Sequence, residues 1–397
     1  MVSFREALGL LMGEVKVLPT EKIRIESATG RVLRQPITAD RDFPAFDRVM
    51  MDGYALRHAD WEKGTRLFKV TGHAPAGMPC VPMSDEPGTC VEVMTGAPCP
   101  AGADCIIPVE ELAGVEAEGV RFHEAEVVAG RFIHRRASDV TAGATVLGEG
   151  VLLGGREIGV AASCGAGWLE VSRLPRISVV ATGDELVGVD EIPEPHQIRQ
   201  SNAFALAAGL SSAGFPPVHV GVVCDDEEMA VAAIAEWLAT SDWVILTGAV
   251  SKGVRDFVPV VLSELGCRQV FHGVAQRPGK PAGCWIGPAG QIVMALPGNP
   301  VSAITGLHAF VLPALKKASR LNAGSPRNVV LDDRAVGLEH MTLHLPVVIR
   351  DDGRAEPAPT GNSGDFIGLL KSDGFVTLPP RGEEAGPTVA APFTAWL

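Results

Sequence analysis

Between residues 174 and 322 the chain alternates apolar runs with helix-periodic ones, and this alternation restricts the fold more than any other feature. The runs "RISVVATG", "PVHVGVVCDD", "DWVILTG", "RQVFHGV" and "QIVMALPG" read as strands. The segments "NAFALAAGLSSAG", "EEMAVAAIAEWLA", "FVPVVLSELG" and "NPVSAITGLHAFVLPALKKA" have helical periodicity. Strands alternating with helices predict a mostly parallel sheet covered on both faces. Such a sheet binds ligands beyond the carboxyl ends of its strands, where loops turn into helices and leave backbone donors unpaired.

The 397 residues exceed one ordinary core, since domains run to roughly 100 to 200 residues. Residues 3 to 15 place Phe4, Leu8, Leu11, Met12 and Val15 at helical spacing, with Ser3 and Glu6 as a capping box. From Ile23 to Ala142, short runs such as "RLFKVTG", "TCVEVMTG" and "DCIIPVEEL" are punctuated by Gly and Pro, as in small β-rich modules. The stretch "REIGVAASCGAGWLEV" reads as a helix and strand able to pair with the opening segment, which would make the β-rich part an insertion. After "NAGSPRN", β-type runs separated by "RDDGR", "KSDG" and "RGEEAG" predict a small terminal β domain. The expected organisation is α/β plus β in four domains. These are an elongated helical and β first domain (1–23 and 143–173), an inserted β-rich domain (24–142), the α/β domain (174–322) and a C-terminal β domain (323–397).

A formal net charge of −13 argues against a nucleic-acid surface, which needs clustered Lys and Arg. No apolar stretch approaches the roughly 18 residues of a membrane span, and the charged N-terminal helix is unlike a secretory signal. No membrane association is expected. The eight cysteines form no C-x-x-C pair and read as reduced apolar fillers, so a cytoplasmic protein is expected. An anionic ligand would therefore have to be met by local donors: helix-start N–H groups, a few cations and a bound metal.

Three strand-end loops carry the candidate chemistry of the α/β domain. In "LPGNPVSA", Pro297 and Gly298 follow an apolar strand, Asn299 suits an N-cap and Pro300 the first helical position. The following helix would then point free N–H groups into a cleft, with the Ser302 hydroxyl beside them. In "TGAVSKGVRDF", Gly248, Ser251, Lys252 and Gly253 permit close approach to phosphate, yet Val254 and Arg255 stand where a Walker loop needs Lys and Ser/Thr. Asp256 ends that loop, either as a helix N-cap or as a ligand. In "TGDEL", Thr182, Gly183, Asp184 and Glu185 end the first strand. Hard Mg2+ prefers carboxylate, phosphate and water oxygens, so Glu185 and Asp256 are the candidate metal ligands. "RPGKP" sets Lys280 in a Pro-bounded turn, where a cation can meet an anion.

The β-rich region adds Asp52 in "MMDGYAL", Thr95 in "MTGAP", and Arg135, Arg136 and Asp139 in "HRRASD". On local grounds Asp52 before Gly53 is a turn and the arginines a solvated face. The functional alternative for the arginines is a phosphate clamp, which requires the β-rich domain to reach a cleft on another domain or chain.

Taken in order, "MDGYA", "MTGAP", "TGDEL", "VSKGVRDF", "PGKP" and "LPGNPVSA" resemble the molybdopterin molybdenumtransferases, the MoeA and gephyrin E-domain family. The resemblance runs from about residue 3 to the C-terminus. It implies a MogA-like molybdopterin-binding α/β domain and a homodimer whose cleft joins that domain of one chain to the β-rich domain of the other. It also implies insertion of molybdate into adenylyl-molybdopterin with release of AMP, assisted by Mg2+, and transient contacts with other molybdenum-cofactor proteins. Carried onto matching positions, it implies that Glu185 and Asp256 position metal and the phosphate link, while Asp52 and Asp139 act catalytically. Thr95, Arg135, Arg136, Thr182, Gly183, Asp184, Gly248, Ser251, Lys252, Lys280, Pro297, Gly298, Asn299, Pro300 and Ser302 would hold the pterin nucleotide.

The chain departs from that pattern in four places. Gly248-Ala249-Val250-Ser251 stands for Gly-Gly-Val-Ser, Arg48-Val49-Met50 for Asn-Ser-Ala, Ser138 for Glu, and "LHLPVV" for a segment with an aromatic and an Arg. Two competing functions remain open on sequence: a scaffold that keeps the fold without turnover, and a nucleotide pyrophosphatase.

Overall fold

The computed structural model describes residues 1–223, 227–248, 257–322, 324, 327–331, 337–359, 362–381 and 390–396. The chain divides into two compact units. The larger comprises Met1–Arg34, Gly150–Gly154 and Leu169–Leu397, and the smaller comprises Gln35–Glu149 and Gly155–Trp168.

The larger unit is built on a six-stranded sheet in the order His219–Val223, Ile177–Thr182, Trp243–Thr247, Ile292–Leu296, Gly283–Ile286 and Arg268–His272. The first four strands are mutually parallel and Gly283–Ile286 alone runs against them, pairing antiparallel on both sides, as expected of a mostly parallel sheet. Alternate residues of the central strands serve two cores. Ile177, Val179, Ala181, Ile245, Met294 and Leu296 face the helices Asn202–Ser212 and Pro300–Gly306. Val180, Val244, Leu246, Val293 and Ala295 face the helices Glu227–Thr240 and Val258–Glu264. Burial on both faces explains why these strands read as continuous apolar runs. The chain leaves Ile177–Thr182 toward one side of the sheet and returns to Trp243–Thr247 on the other, so the winding reverses between these two strands. The crevice at such a reversal is where open α/β sheets hold ligands.

The opening helix Phe4–Glu14 is capped as expected, Glu6 donating its N–H to Ser3 Oγ at 3.2 Å. Its Ala7 and Leu11 are buried in the first core. Trp168–Ser172 pairs with Thr20–Arg24, which bears out the expected return of the chain to its opening segment. The short runs of the C-terminal stretch do form strands, but their seven-stranded sheet also takes in Val2–Ser3 and Val274–Arg277. The run "RQVFHGV", read as one strand, is broken at Gly273, whose φ of +82° turns the chain from one sheet into the other.

The smaller unit holds a second six-stranded sheet, ordered Cys105–Pro108, Gly53–Leu56, Thr89–Val93, Leu67–Ala74, Gly119–Phe122 and Leu112–Glu116. One side packs Tyr54, Trp61, Phe68 and Phe122, with edge-on ring contacts from Phe122 to Tyr54 and Phe68. Asp52-Gly53 is not an isolated turn here: Gly53 begins a strand, and a Cβ on it would overlap the Ile107 carbonyl. Among the described residues, no helix is long and apolar enough to cross a membrane.

Candidate active site

In the larger unit the register of the parallel strands sets Thr247 beside Ala181 and Leu296, so the strand-end loops emerge together. Gly248 closes the gap. Its N–H donates to the Leu296 carbonyl at 3.1 Å, its φ is +103°, and a Cβ there would overlap the Thr182 carbonyl and stand 2.7 Å from Thr182 Oγ1. Only glycine allows the backbones to approach this closely. Gly298 lies against Gly248, a Cβ on it falling 3.6 Å from the Gly248 Cα. Thr182, Gly183, Gly248, Pro297 and Gly298 are therefore brought together. Ser251, Lys252 and Asp256 lie outside the described residues.

Asn202, at the start of the helix after the first strand, joins these loops and was not among the expected residues. Its amide donates to the Gly298 carbonyl at 2.7 Å and to Thr247 Oγ1 at 3.2 Å, while the Thr247 hydroxyl donates to the Pro297 carbonyl at 3.0 Å. The pair "SN" before an apolar helix reads as a cap, which hides this role. Thr182 Oγ1 and Asn202 Oδ1 are buried without a hydrogen-bond partner in the protein. A buried polar atom left unpaired costs roughly 1–3 kcal/mol, so two oxygens at the reversal point mark a place suited to a polar ligand.

Asp184 and Glu185 are exposed at the end of the first strand, and Glu185 folds back so that its Oε2 would meet a Cβ on Gly183 at 2.7 Å. Among the described residues, no group of three or more His, Cys, Asp or Glu could hold a metal. Mg2+ nevertheless binds commonly through one or two carboxylates with substrate phosphate and water completing its octahedron. The exposed Glu185 fits such a partial donor set and not a closed protein cage.

The loop "LPGNPVSA" differs in detail from expectation. Pro300 opens the helix, but the Asn299 side chain makes no capping bond and instead donates from Nδ2 to Ser363 Oγ at 3.0 Å. The Val301 N–H, expected to be free, donates to the Ser363 carbonyl at 3.2 Å. The C-terminal segment has thus taken one of the helix-start donors. Around this corner lies a cavity of about 590 Å³ lined by Arg277, Lys280, Asn299, Ser302, His344 and Ser363, among others. Lys280 and Arg277 are exposed and supply its cations.

The remaining expected residues belong to the smaller unit. Asp52 Oδ1 accepts from Thr95 N and Thr95 Oγ1, both at 2.7 Å. These bonds, the backbone one foremost, hold the Asp52 carboxyl below its usual range. The arginines are not a loose clamp. Arg135 donates to Asp47 Oδ2 at 2.6 Å, the Arg136 N–H to Asp47 Oδ1 at 2.8 Å, and Arg136 Nε to Asp42 Oδ2 at 2.7 Å. Asp139 Oδ1 lies 2.8 Å from His134 Nε2, and Arg48 reaches His134 Nδ1 at 3.0 Å. Since Arg can only donate, Nδ1 accepts and Nε2–H points at Asp139. The His134 bond is the main cause holding the Asp139 carboxyl below its usual range. Arg48, noted above only as a departure, thus fixes the tautomer of His134. The acids Asp42 and Asp47 lacked any motif in the sequence.

A family profile described as "MoeA N-terminal region (domain I and II)" matches residues 2–165, and one described as "Probable molybdopterin binding domain" matches residues 178–317. The molybdopterin molybdenumtransferase of Synechocystis sp. is 35% identical over 401 residues, covering 100% of both chains. That of Bacillus subtilis is 31% identical, covering 93% of this chain and 89% of its own. A crystal structure of the molybdopterin biosynthesis moeA protein from Pyrococcus horikoshii superposes with a TM-score of 0.79 at 26% identity, covering 99% of this chain and 98% of its own.

Proposed function

The chain belongs to the molybdopterin molybdenumtransferase family, and from that premise we propose that it inserts molybdate into adenylyl-molybdopterin, releasing AMP and leaving molybdenum on the pterin. The observation that carries this reading is the convergence of the Thr182, Gly248 and Gly298 backbones with two unpaired buried oxygens at the reversal point of the sheet. A pterin nucleotide offers both the phosphate that glycine-bordered backbone can approach and the ring donors that Thr182 and Asn202 oxygens can accept. Breaking its phosphoanhydride develops negative charge on oxygen, which preorganised donors stabilise without a nucleophilic side chain. Lys280 and Ser302 are the contacts proposed on the cavity side, with Arg135, Arg136 and Thr95 proposed to hold phosphate from the β-rich unit. Asp52 and Asp139, both ionised at neutral pH, are proposed near the reacting centre.

Glu185 would hold Mg2+, with Asp256 proposed as its second carboxylate; when bound, the ion neutralises phosphate charge and orients the anhydride. The four-domain division, a homodimeric state, transient contacts with other molybdenum-cofactor proteins and a cytoplasmic setting belong to the same proposal. The last is supported by the described cysteines, which are all free.

The test is to supply purified protein with adenylyl-molybdopterin, molybdate and Mg2+ and to follow AMP. Release of AMP that depends on all three is expected; pterin bound without AMP release would favour the scaffold reading, and cleavage of plain dinucleotides the pyrophosphatase one. A Mg2+ titration of Glu185→Ala should move by at least the roughly 10-fold typical of losing even an outer-sphere partner. An unmoved titration removes Glu185 from the metal site.

A further inference from the structure

A buried chain of hydrogen bonds runs behind the Lys280 turn. His344 is 1% exposed on the strand Thr342–Ile349 and borders the cavity that Lys280 also lines. The rings of Phe4 and Phe375 stand edge-on to it, at centroid distances of 4.7 and 5.4 Å. His344 Nδ1 lies 3.1 Å from Thr377 Oγ1, and His344 Nε2 lies 3.4 Å from Gln276 Oε1. Gln276, also 1% exposed, donates its amide to the Gly279 carbonyl at 3.2 Å.

The direction of this chain follows from donor and acceptor chemistry. The Gly279 carbonyl can only accept, so the Gln276 nitrogen faces it and the Gln276 oxygen faces His344. Nε2 must then carry the imidazole proton, and Nδ1 accepts from the Thr377 hydroxyl. Burial keeps the ring neutral, pulling its pKa down to about 4. A single tautomer thus links the C-terminal sheet to Gly279. At Gly279 the φ is +94°, and a Cβ would stand 2.7 Å from Gln276 Nε2. The turn residue, the amide and the imidazole fit one another in only one arrangement.

We propose that His344 and Gln276 are positioning residues that fix the Gly279–Lys280 turn, and through it the Lys280 ammonium, at the edge of this cavity. The proposal rests on the reading of Lys280 as a contact to the anionic substrate. A hydrophobic residue at position 344 would leave Gln276 without its donor and free the turn to shift, while leaving the acids of the smaller unit untouched.

Steady-state AMP release by the full-length protein tests this, with Lys280→Ala as the reference. Lys280→Ala should raise the KM for the pterin nucleotide about tenfold, as for loss of a hydrogen bond to a charged group. His344→Leu and Gln276→Met should each raise KM several-fold with kcat within about twofold, and His344→Gln, which restores an Nε2 donor, should recover most of the loss. If Lys280→Ala raises KM and His344→Leu does not, the positioning role is overturned and the Lys280 contact stands. If Lys280→Ala leaves KM unchanged, the Lys280 contact fails and the positioning role fails with it. Should His344→Leu not fold, Gln276→Met and Thr377→Val carry the same comparison. Independently of turnover, the long-range proton–nitrogen spectrum of the unmodified protein should report a protonated Nε2 on His344; a protonated Nδ1 overturns the proposal.

Discussion

Asp52 Oδ1 receives both the backbone N–H and the hydroxyl of Thr95, each at 2.7 Å, so one oxygen of the carboxylate is fixed by two donors from a single residue. The arrangement anchors a charge at the start of the strand Gly53–Leu56. Asp52→Asn keeps an oxygen for Thr95 and removes the charge. If the charge acts at the reacting centre, kcat should fall by about 10²-fold or more while KM moves only a few-fold. Equal losses in both would reduce Asp52 to a holder of the Thr95 loop. Steady-state AMP release decides between them.

Gly248→Ala is expected to damage the larger unit through its backbone. The φ of +103° disfavours any side chain, and the new Cβ would collide with the Thr182 carbonyl. Strain of this kind costs roughly 1–3 kcal/mol, which thermal unfolding should read as a drop of several degrees. Turnover should fall as well, because relief of the collision separates the first two strand-end loops. A variant with unchanged unfolding temperature and unchanged turnover would mean that the loops have room this geometry denies them.

Asn202→Ala isolates the third loop. The substitution removes donors to the Gly298 carbonyl and to Thr247 Oγ1. Losing these half-buried and exposed bonds costs about 0.5–1.5 kcal/mol each, shared between stability and the placement of Pro297–Gly298. A rise in KM for the pterin nucleotide larger than the fall in kcat is expected. Asn202→Asp, which cannot donate from the same atom, should resemble Ala; full activity in the Asp variant would contradict the proposed tie.

What the sequence made legible was what periodicity and composition encode. The strands Ile177–Thr182, Trp243–Thr247 and Ile292–Leu296 stood out because both of their faces are buried, so apolar residues run through them with few interruptions. Their loops followed from the general behaviour of open sheets. The C-terminal sheet was harder, since Val2–Ser3 joins it by pairing with Val274–Arg277, on a strand far along the chain that in turn pairs with Thr342–Ile349, and two- to four-residue strands have no period to detect. The same limit hid Asn202, Asp42, Asp47 and His344, whose roles depend on partners distant in sequence. The Asn299 cap failed for a related reason: Ser363, sixty-four positions away, accepts from its side-chain amide, and the side-chain oxygen takes no N–H of its own helix.

Two buried histidines set a pH dependence of stability. Burial pulls the pKa of His308 down to about 4, aided by the charge of Lys316, and burial alone does the same for His344. An unfolded histidine titrates near 6.5, so between about pH 6.5 and pH 4 the unfolded chain binds protons that the folded chain refuses. Stability must therefore fall on acidification through this window and is whole above it. Between pH 7 and pH 5 each histidine should cost about 2 kcal/mol by this linkage, an upper figure if the folded state relaxes. Asp42, Asp47, Asp52 and Asp139, all held below their usual range, act in the same direction but in a lower window: their stabilisation is present above the carboxylate range and is lost only below about pH 4. Urea unfolding at pH 7 and pH 5, followed by Trp fluorescence, should therefore show a lower midpoint at pH 5. In His344→Gln the drop should shrink by about half, because one of the two refusing sites is gone while the carboxylates are unchanged. A midpoint that stays constant between the two pH values would mean that both rings take up protons in the folded state, and with it the single-tautomer chain from Thr377 to Gly279 would be lost.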